Sequence, residues 1–295
     1  MTSPFRFGIN MLAPPDRSAW AAQCRTAESI GFDVLLVPDH LGMPAPFPSL
    51  VAAAEATERP RVGTFVLNAG LWNPALLARE VATTDRLTGG RLELGLGAGY
   101  VKAEHDEAGL PFGTPGERVD ALARLVTELE RLLNDPAREP APAQSPLPLL
   151  LGGNGDRLLR LAARHARIAA FTAARQVPGA APGTLGLIAP EALAERLAVY
   201  REFEAGRVRP AELNLLVQKV EITGDRRAAA ERLAELGPGL SVDQLLDHPG
   251  LLLGTAAQIA EQLRAHRERF GFSYFTVLSP DMRAFAPVLE ELGGH

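Results

Sequence analysis

The feature that most constrains the fold of this 295-residue chain is a strict alternation of short apolar runs with helix-like stretches. The runs are nearly continuous in apolar residues, which is typical of parallel strands that are covered on both faces. The predicted strands are residues 5–11, 33–37, 61–67, 91–96, 147–151, 168–172, 214–223 and 273–278. A TIM (β/α)8 barrel needs roughly 250 residues and has this order of elements. The alternation therefore predicts an α/β fold of that class, with residues 1–295 as one domain.

Several connections between the predicted strands are long. Residues 101–115 follow the fourth strand and residues 173–189 follow the sixth, so both are interpreted as long loop insertions. The proline-rich stretch 136–148 is interpreted as an exposed excursion, because the alternation continues unbroken after it. An irregular insert is expected between the helix predicted at residues 226–236 and Gly254.

A doubly wound open sheet is the alternative architecture. Such sheets usually have fewer strands, and their glycine-rich nucleotide fingerprint follows the first strand. Here Ala13-Pro14-Pro15 follows the first predicted strand and contains no glycine. Strand number and order therefore favour the barrel.

Composition excludes several classes of partner. The net charge of −5 and the lack of a basic stripe argue against nucleic acid. No uncharged apolar run reaches the ~18 residues of a membrane span, and residues 1–8 carry no signal-like leader, so a cytoplasmic protein is expected. The single cysteine, Cys24, excludes an intrachain disulfide and lies on the apolar stripe of the first predicted helix, 18–30, where a buried thiol is expected.

Polar side chains stand where the second and third predicted strands end. Asp39 and His40 follow the second strand, after Pro38, and Asn68 follows the third. The carboxyl ends of barrel strands carry the chemistry of such enzymes. His40 could bond a ligand or move a proton near neutral pH, and the Asn68 amide could recognise an imide edge or simply cap a turn.

Glycines mark the ends of the fourth and fifth predicted strands. Gly95, Gly97 and Gly99 precede Tyr100, and without side chains they could let a flat ligand approach the strand end, or form a turn. Gly152, Gly153 and Asn154 precede a predicted helix that begins at Asp156. Backbone N–H groups at such a position form an anion site, although Asp156 could itself cap the helix.

A polar cluster within the first long loop is interpreted as solvated rather than metal-binding. Its members are Glu104, His105, Asp106 and Glu107. Consecutive residues do not converge on one ion, and the chain has neither a His-x-His pair nor a His-Glu-x-x-His motif. No metal is therefore expected.

Short motifs along nearly the whole chain resemble those of the bacterial-luciferase-like flavin and deazaflavin oxidoreductases. They are Gly31-Phe32-Asp33, Val37-Pro38-Asp39-His40, Gly63-Thr64-Phe65-Val66, Asn73-Pro74-Ala75-Leu76-Leu77-Ala78, Gly90-Arg91-Leu92-Glu93-Leu94-Gly95-Leu96-Gly97, Gly116-Glu117-Arg118, Leu151-Gly152-Gly153 and Leu253-Gly254-Thr255. The resemblance implies a TIM barrel that holds coenzyme F420 or FMN at the carboxyl ends of its strands. It implies that His40 lies beside the redox ring and that Phe65, Val66 and Asn68 pack against that ring, at a bulge or non-proline cis bond. Gly152 and Gly153 would hold the phosphate arm.

Overall likeness to the F420-dependent branch favours hydride transfer between F420 and an organic substrate. The sugar-phosphate dehydrogenases of the family have an aromatic residue shortly after the His and a Glu at the end of strand four. This chain has Gly42-Met43-Pro44 and Tyr100 at those places, which argues against sugar phosphates and makes Tyr100 a catalytic candidate beside His40. The weakly charged long loops favour a neutral or hydrophobic substrate. The alternatives are an FMN-dependent monooxygenase and a cofactor-binding barrel without turnover; a homodimer is a further expectation from the family.

Overall fold

Parallel strands close into an eight-stranded barrel in the computed structural model, which describes residues 4–11, 16–177, 179 and 184–293. The strands are β1 (Arg6–Asn10), β2 (Val34–Val37), β3 (Arg61–Thr64), β4 (Leu67–Asn68), β5 (Leu92–Gly97), β6 (Leu149–Gly152), β7 (Ile168–Phe171), β8 (Ala174–Gln176), β9 (Leu185–Leu187), β10 (Glu212–Leu216), β11 (Lys219–Ile222), β12 (Leu251–Gly254) and β13 (Tyr274–Leu278). The hydrogen-bonded order is β3-β2-β1-β13-β10-β7-β6-β5-β4, and pairing of β3 with β5 closes the ring. The predicted TIM barrel is confirmed; the segment Ala13-Pro14-Pro15 lies outside the described residues.

The third barrel position is an interrupted strand rather than the continuous run predicted at residues 61–67. It is divided between β3 and β4, and the Phe65–Val66 peptide bond at the break is cis. The Thr64 hydroxyl bridges this break, because it accepts from Gly95 N (2.8 Å) and donates to Gly95 O (2.8 Å). A side chain thus replaces the backbone ladder between β3 and β5 at this point.

Most of the helices that the structure describes cover the outside of the barrel. The helices are α1 (Arg17–Ile30), α2 (Pro46–Ala56), α3 (Pro74–Leu87), α4 (Lys102–Glu107), α5 (Pro115–Leu133), α6 (Asp156–His165), α7 (Pro190–Glu204), α8 (Arg226–Arg232), α9 (Val242–Leu246), α10 (Ala256–Phe270) and α11 (Met282–Glu291). None of these helices, in the ranges that the structure describes, combines the length and apolarity needed to cross a bilayer.

The first helix shows how local sequence sets element bounds. Asp16 caps α1 by accepting from Ala19 N (2.9 Å), and Gly31 ends it in the left-handed conformation, with φ of 104°. Trp20 and Cys24 lie on its buried face. The predicted buried thiol is confirmed, and burial raises the pKa of Cys24 to about 12.

Side chains of the strands contribute to two separate cores, one outside and one inside the barrel. Residues such as Phe7, Ile9 and Leu35 point outward into the main core under the helices. The interior is packed by Val34, Leu36, Leu150, Ile168, Ala170 and Tyr274. The amino-terminal end holds partly buried ion pairs, in which Glu93 binds Arg6 (2.5 Å) and Arg61 (2.7 Å) and Arg6 also binds Glu212 (2.5 Å). A filled interior leaves the carboxyl mouth as the end at which a ligand can approach.

The predicted seventh strand, 214–223, is wrong as a single strand. Its first part is β10 of the barrel, whereas β11 leaves the barrel and pairs in parallel with β12. The chain turns away at Gln218, whose N–H donates to Gly250 O (2.8 Å). The insert that was expected to be irregular as far as Gly254 therefore contains α9 and β12, and it packs a small apolar cluster around Ala229, Leu245 and Leu251.

Both long insertions contain regular structure instead of being plain loops. The connection 101–115 includes α4, and the connection 173–189 includes the antiparallel pair β8 and β9. Residues 178 and 180–183 of the second connection lie outside the described residues. Single-sequence periodicity does not reveal elements of three to six residues, because they span at most two helical turns or one strand alternation.

Candidate active site

His40 lies just beyond β2 and is held by a carboxylate from a distant part of the chain. Its Nδ1 atom is 2.6 Å from Glu104 Oε1, and Glu104 belongs to α4. The Tyr100 ring stands edge-on to the imidazole, with the ring centroids 6.0 Å apart. The structure thus brings together the two residues predicted to be catalytic and adds an acidic partner.

The contact with Glu104 fixes which nitrogen of His40 can act on a ligand. A carboxylate only accepts hydrogen bonds, so Nδ1 carries the proton in this pair. Nε2 of the neutral ring is then the nitrogen that remains to accept a proton. His40 therefore has the arrangement of a base whose orientation is set from behind.

The polar cluster predicted to be solvated is half buried in the fold. Glu104 and His105 are 8% and 1% exposed, whereas Asp106 and Glu107 face solvent. The expectation was wrong for the first two residues because α4 turns one side toward the barrel mouth. Among the residues that the structure describes, no group of three or more His, Cys, Asp or Glu side chains could hold a metal ion.

Asp39, the residue before His40, connects two segments at the barrel mouth. Its Oδ2 accepts from Asn68 N (3.2 Å) and from Trp72 Nε1 (2.8 Å). Burial raises the pKa of the Asp39 carboxyl above its usual value, although these two hydrogen bonds oppose the shift. The carboxyl group therefore links the end of β2 to the end of β4.

The Asn68 amide is engaged at both ends by the protein. Its Oδ1 accepts from Gly70 N (3.1 Å), and its Nδ2 lies 3.2 Å from His105 Nε2. His105 in turn donates from Nδ1 to Pro111 O (2.9 Å), so its Nε2 is the acceptor. Recognition of an imide edge by Asn68 stays a prediction, for which the amide retains a second N–H and a second lone pair on Oδ1.

The glycines of β5 make room for the neighbouring interrupted strand. A Cβ atom added to Gly95 would lie 2.0 Å from Thr64 O, and one on Gly97 would lie 2.7 Å from Val66 Cγ2. Gly99 has φ of 75°, and its Cβ would lie 2.2 Å from Asn68 Oδ1. The space beside these glycines is therefore occupied by the protein's own residues 64–68. Contact of Gly97 and Gly99 with a cofactor stays a prediction.

The Gly152-Gly153-Asn154 turn offers space that the protein does not fill. A Cβ on Gly152 would make only ordinary contacts, 3.7 Å from Val66 Cγ1 and 3.8 Å from Ala170 Cβ. Gly153, with φ of 148°, needs its glycine for the turn itself. The Asp156 side chain pairs with Arg196 instead of capping α6, which leaves the first turn of α6 without a side-chain cap.

Two buried acceptors at strand ends lack a partner among the residues that the structure describes. They are Oδ1 of Asn154, after β6, and Oδ1 of Asn10, the last residue of β1. Buried polar atoms are normally hydrogen-bonded, so these atoms fit a ligand that supplies donors at the mouth. Sequence analysis missed Asn10 because the first strand was predicted to run to residue 11, whereas β1 ends at Asn10 in the structure.

A separate cavity lies away from the strand ends at the mouth. It has a volume of about 300 Å³ and is lined by Leu94, Val126, Leu129 and Leu147 of β5, α5 and the segment before β6. None of the predicted site residues contacts it. The polar strand-end residues at the mouth therefore form the candidate site.

The chain belongs to the luciferase-like monooxygenase family, whose model matches residues 1–246. It is 32% identical over 182 residues to an F420-dependent glucose-6-phosphate dehydrogenase of Beutenbergia cavernae, which covers 54% of this chain and 53% of that protein. It is 27% identical over 187 residues to an uncharacterized protein of Mycobacterium tuberculosis, with 52% of this chain and 65% of the other covered. The matched region thus spans about half to two thirds of these curated relatives.

Solved structures share the fold over nearly the full length. An F420-dependent secondary alcohol dehydrogenase in complex with an F420-acetone adduct superimposes with a TM-score of 0.76 at 17% identity, covering 98% of both chains. A long-chain alkane monooxygenase superimposes with a TM-score of 0.73 at 14% identity, covering 99% of this chain and 92% of that one. At this level of identity the likeness concerns the fold.

Proposed function

We propose that the protein is an oxidoreductase that binds coenzyme F420 at the barrel mouth and passes a hydride between its deazaflavin ring and a neutral or hydrophobic organic substrate. The observation that carries the proposal is His40, held through Nδ1 by Glu104 at 2.6 Å, with Nε2 left to act at the mouth. F420 supplies the hydride chemistry when bound, and the protein supplies orientation and proton handling. The similarity to F420-dependent proteins supports this cofactor.

The chain's own residues divide between holding the cofactor and handling a proton. We propose that Gly152, Gly153 and Asn154 hold the phosphate arm against the uncapped start of α6, where the helix dipole favours an anion. Asp39, Phe65 and Val66 would flank the ring at the neighbouring strand ends. His40 would take or return a proton at Nε2 as charge develops beside the ring.

An apolar rim supports a substrate without charge. Leu41 and Met43, directly after His40, are 41% and 37% exposed, and Tyr100, which stands against His40, is 48% exposed. These three side chains carry no charge, and Lys102, the cation two residues after Tyr100, is paired with Asp106 (2.5 Å). We therefore propose that sugar phosphates are poor substrates, despite the similarity to a glucose-6-phosphate dehydrogenase.

An FMN-dependent monooxygenase is the second candidate, and likeness to a long-chain alkane monooxygenase supports it. Reduced FMN reacts with oxygen, whereas the reduced deazaflavin resists it, so the two functions differ in their oxygen requirement. A barrel that binds a cofactor without turnover is the third candidate.

Titration with F420 and with FMN, followed by Trp fluorescence, tests the cofactor directly. Trp72 donates to Asp39 at 2.8 Å and therefore reports on the mouth, whereas Trp20 is buried under α2. We expect micromolar binding of F420 and much weaker binding of FMN. Tight FMN binding with oxygen uptake would replace the proposal by the monooxygenase.

His40→Ala separates catalysis from binding. We expect F420 affinity within about threefold of wild type and a fall in F420 reduction by about 10²–10⁴-fold, the usual contribution of a general acid or base. Alcohols, aldehydes and ketones without charge are the substrates to screen anaerobically. Binding of F420 with no turnover by wild type on any substrate would favour the barrel without turnover, and equal turnover by wild type and variant would remove His40 from the mechanism.

A further inference from the structure

The short helix α4 turns two adjacent ionisable side chains into the protein. It comprises six residues, Lys102–Glu107, of which Glu104 and His105 are buried while Lys102, Asp106 and Glu107 face solvent. Glutamate is seldom buried unless it is paired, so each of the two side chains should have a specific partner. Each does, and the partners lie at the ends of different barrel strands.

We infer that α4 is a positioning element, in which Glu104 sets the tautomer and orientation of His40 while His105 sets the amide orientation of Asn68. The inference rests on the proposed function, because it makes the two side chains at the ends of β2 and β4 the ones that face the ring. Glu104 and His105 contact neither ring nor substrate in this scheme. They act through the residues that they bind.

The Glu104–His40 pair selects one form of a neutral imidazole. In water the Nε2–H form is the more populated, so holding Nδ1–H requires an acceptor behind the ring. Glu104 Oε1 provides one at 2.6 Å. Tyr100 also stands edge-on to the imidazole, and the nearby Asp39 carboxyl is bonded to Asn68 N and Trp72 Nε1. The carboxylate therefore keeps Nε2 free as an acceptor at the mouth.

The His105–Asn68 pair orients the amide by the same logic. His105 donates from Nδ1 to Pro111 O at 2.9 Å, which leaves Nε2 to accept from Asn68 Nδ2 at 3.2 Å. A Cβ on Gly70 would lie 2.4 Å from His105 Cε1, so glycine at position 70 makes room for the imidazole. Phe112 packs edge-on against the other side, with ring centroids 5.1 Å apart.

Glu104→Ala, Glu104→Gln and the exposed control Glu107→Gln test the first half of the inference. ¹⁵N-histidine labelling reads the tautomer of His40, whose signal is assigned by its loss in His40→Asn. We expect Nδ1–H in wild type, in Glu107→Gln and in Glu104→Gln, whose amide oxygen still accepts. In Glu104→Ala we expect a shift to Nε2–H. Retention of Nδ1–H in Glu104→Ala would overturn the inference.

Turnover with F420 then separates positioning from binding. We expect kcat of Glu104→Ala to fall about 10–100-fold, as for other residues that orient a functional histidine, with F420 affinity within about threefold. Unchanged kcat in that variant overturns the inference. If the tautomer shifts as expected but wild type neither binds nor reduces F420, the positioning role stands and the proposed function fails.

His105→Leu tests the second half without reference to turnover. The Asn68 side-chain N–H that is bonded to buried His105 should exchange slowly with solvent in wild type. We expect exchange at least tenfold faster in the variant, with the Glu107→Gln control unchanged. Equal exchange in wild type and His105→Leu would show that His105 does not hold the amide.

Discussion

At the scale of single residues, Gly152 differs from the other strand-end glycines in what surrounds it. Gly95, Gly97 and Gly99 are needed because a Cβ on each would collide with the neighbouring strand. A Cβ on Gly152 would be no closer than 3.7 Å to any neighbour and would fit the fold. The free space there is consistent with a ligand lying against this strand end.

Gly152→Ala is expected to weaken F420 binding at least tenfold while the free energy of unfolding changes by less than about 1 kcal/mol. The added methyl group would occupy the path of the phosphate arm without disturbing its protein neighbours. Isothermal titration and urea unfolding measure the two quantities. Gly224→Ala, at an exposed turn with open space around it, is the matched control. Equal F420 affinity in the two variants would place the phosphate arm elsewhere.

Gly97→Ala is expected to have the opposite profile. Its Cβ would lie 2.7 Å from Val66 Cγ2, so Val66 has to shift within a packed barrel. Overpacking of this kind costs about 1–3 kcal/mol, which urea unfolding would detect. A variant as stable as wild type would show that the segment around Val66 moves freely.

At the scale of elements, one arginine binds the connection between β5 and α5 at two points. Arg118 donates from Nε to Gly99 O (3.1 Å) and from Nη1 to Gly113 O (3.0 Å), and thus binds both ends of the connection. Its guanidinium also lies 4.1 Å from the centroid of the Phe112 ring. Because α4 lies between the two ends, Arg118 should keep Glu104 and His105 in place.

Arg118→Lys is expected to loosen α4 without unfolding the barrel, because an ammonium group cannot reach both carbonyls in the same way. Loss of about 2 kcal/mol of local stability corresponds to roughly 30-fold faster amide exchange over residues 102–110. Hydrogen exchange with mass spectrometry measures this. Arg124→Lys, an exposed position on the same helix, is the control. Equal amide exchange over residues 102–110 in both variants would contradict this role of Arg118.

At the scale of the whole molecule, two buried histidines link stability to pH. Burial lowers the pKa of His248 to about 4 and that of His266 to about 4. His248 donates from Nε2 to Ile188 O (3.0 Å) and accepts from Gly250 N at Nδ1 (3.0 Å), so it is held as the neutral ring. As the pH falls, the unfolded chain binds these protons near pH 6.5, whereas the native state binds them only near pH 4.

The free energy of unfolding should therefore be highest above about pH 6.5 and should fall as the pH drops toward 4. At pH 5 each histidine should account for a loss of about 2 kcal/mol. The raised pKa values of Asp39 and Glu212, both due first to burial, act in the opposite direction. His248→Gln removes the contribution of His248 to this pH dependence. Urea unfolding at pH 7.5 and 5.0 should therefore show a smaller drop in the free energy of unfolding for the variant than for wild type. An equal drop would exclude His248 as a source.

Much of the fold was predictable because the spacing of apolar residues and the residues that end helices are local features of the sequence. The barrel, the stop of α1 at Gly31 and the buried Cys24 all follow from residues close together in the sequence. The seventh strand was misassigned because apolar runs do not reveal which sheet they join: Gln218 N bonds Gly250 O, a partner 32 positions away. Short elements such as α4 escaped for a different reason, because six residues span fewer than two helical turns and show no clear period.

The sequence by itself determined the alternation of strands and helices, and with it the position of Asp39, His40, Asn68 and Gly152 at strand ends. It could not determine their partners. Only the tertiary structure decided that Glu104 binds His40 and that His105 binds Asn68, because both contacts depend on α4 folding back over the mouth. The physical reason is that a run of polar residues has the same sequence pattern whether it is exposed to water or packed against a barrel. Only long-range packing decides which of the two environments it has.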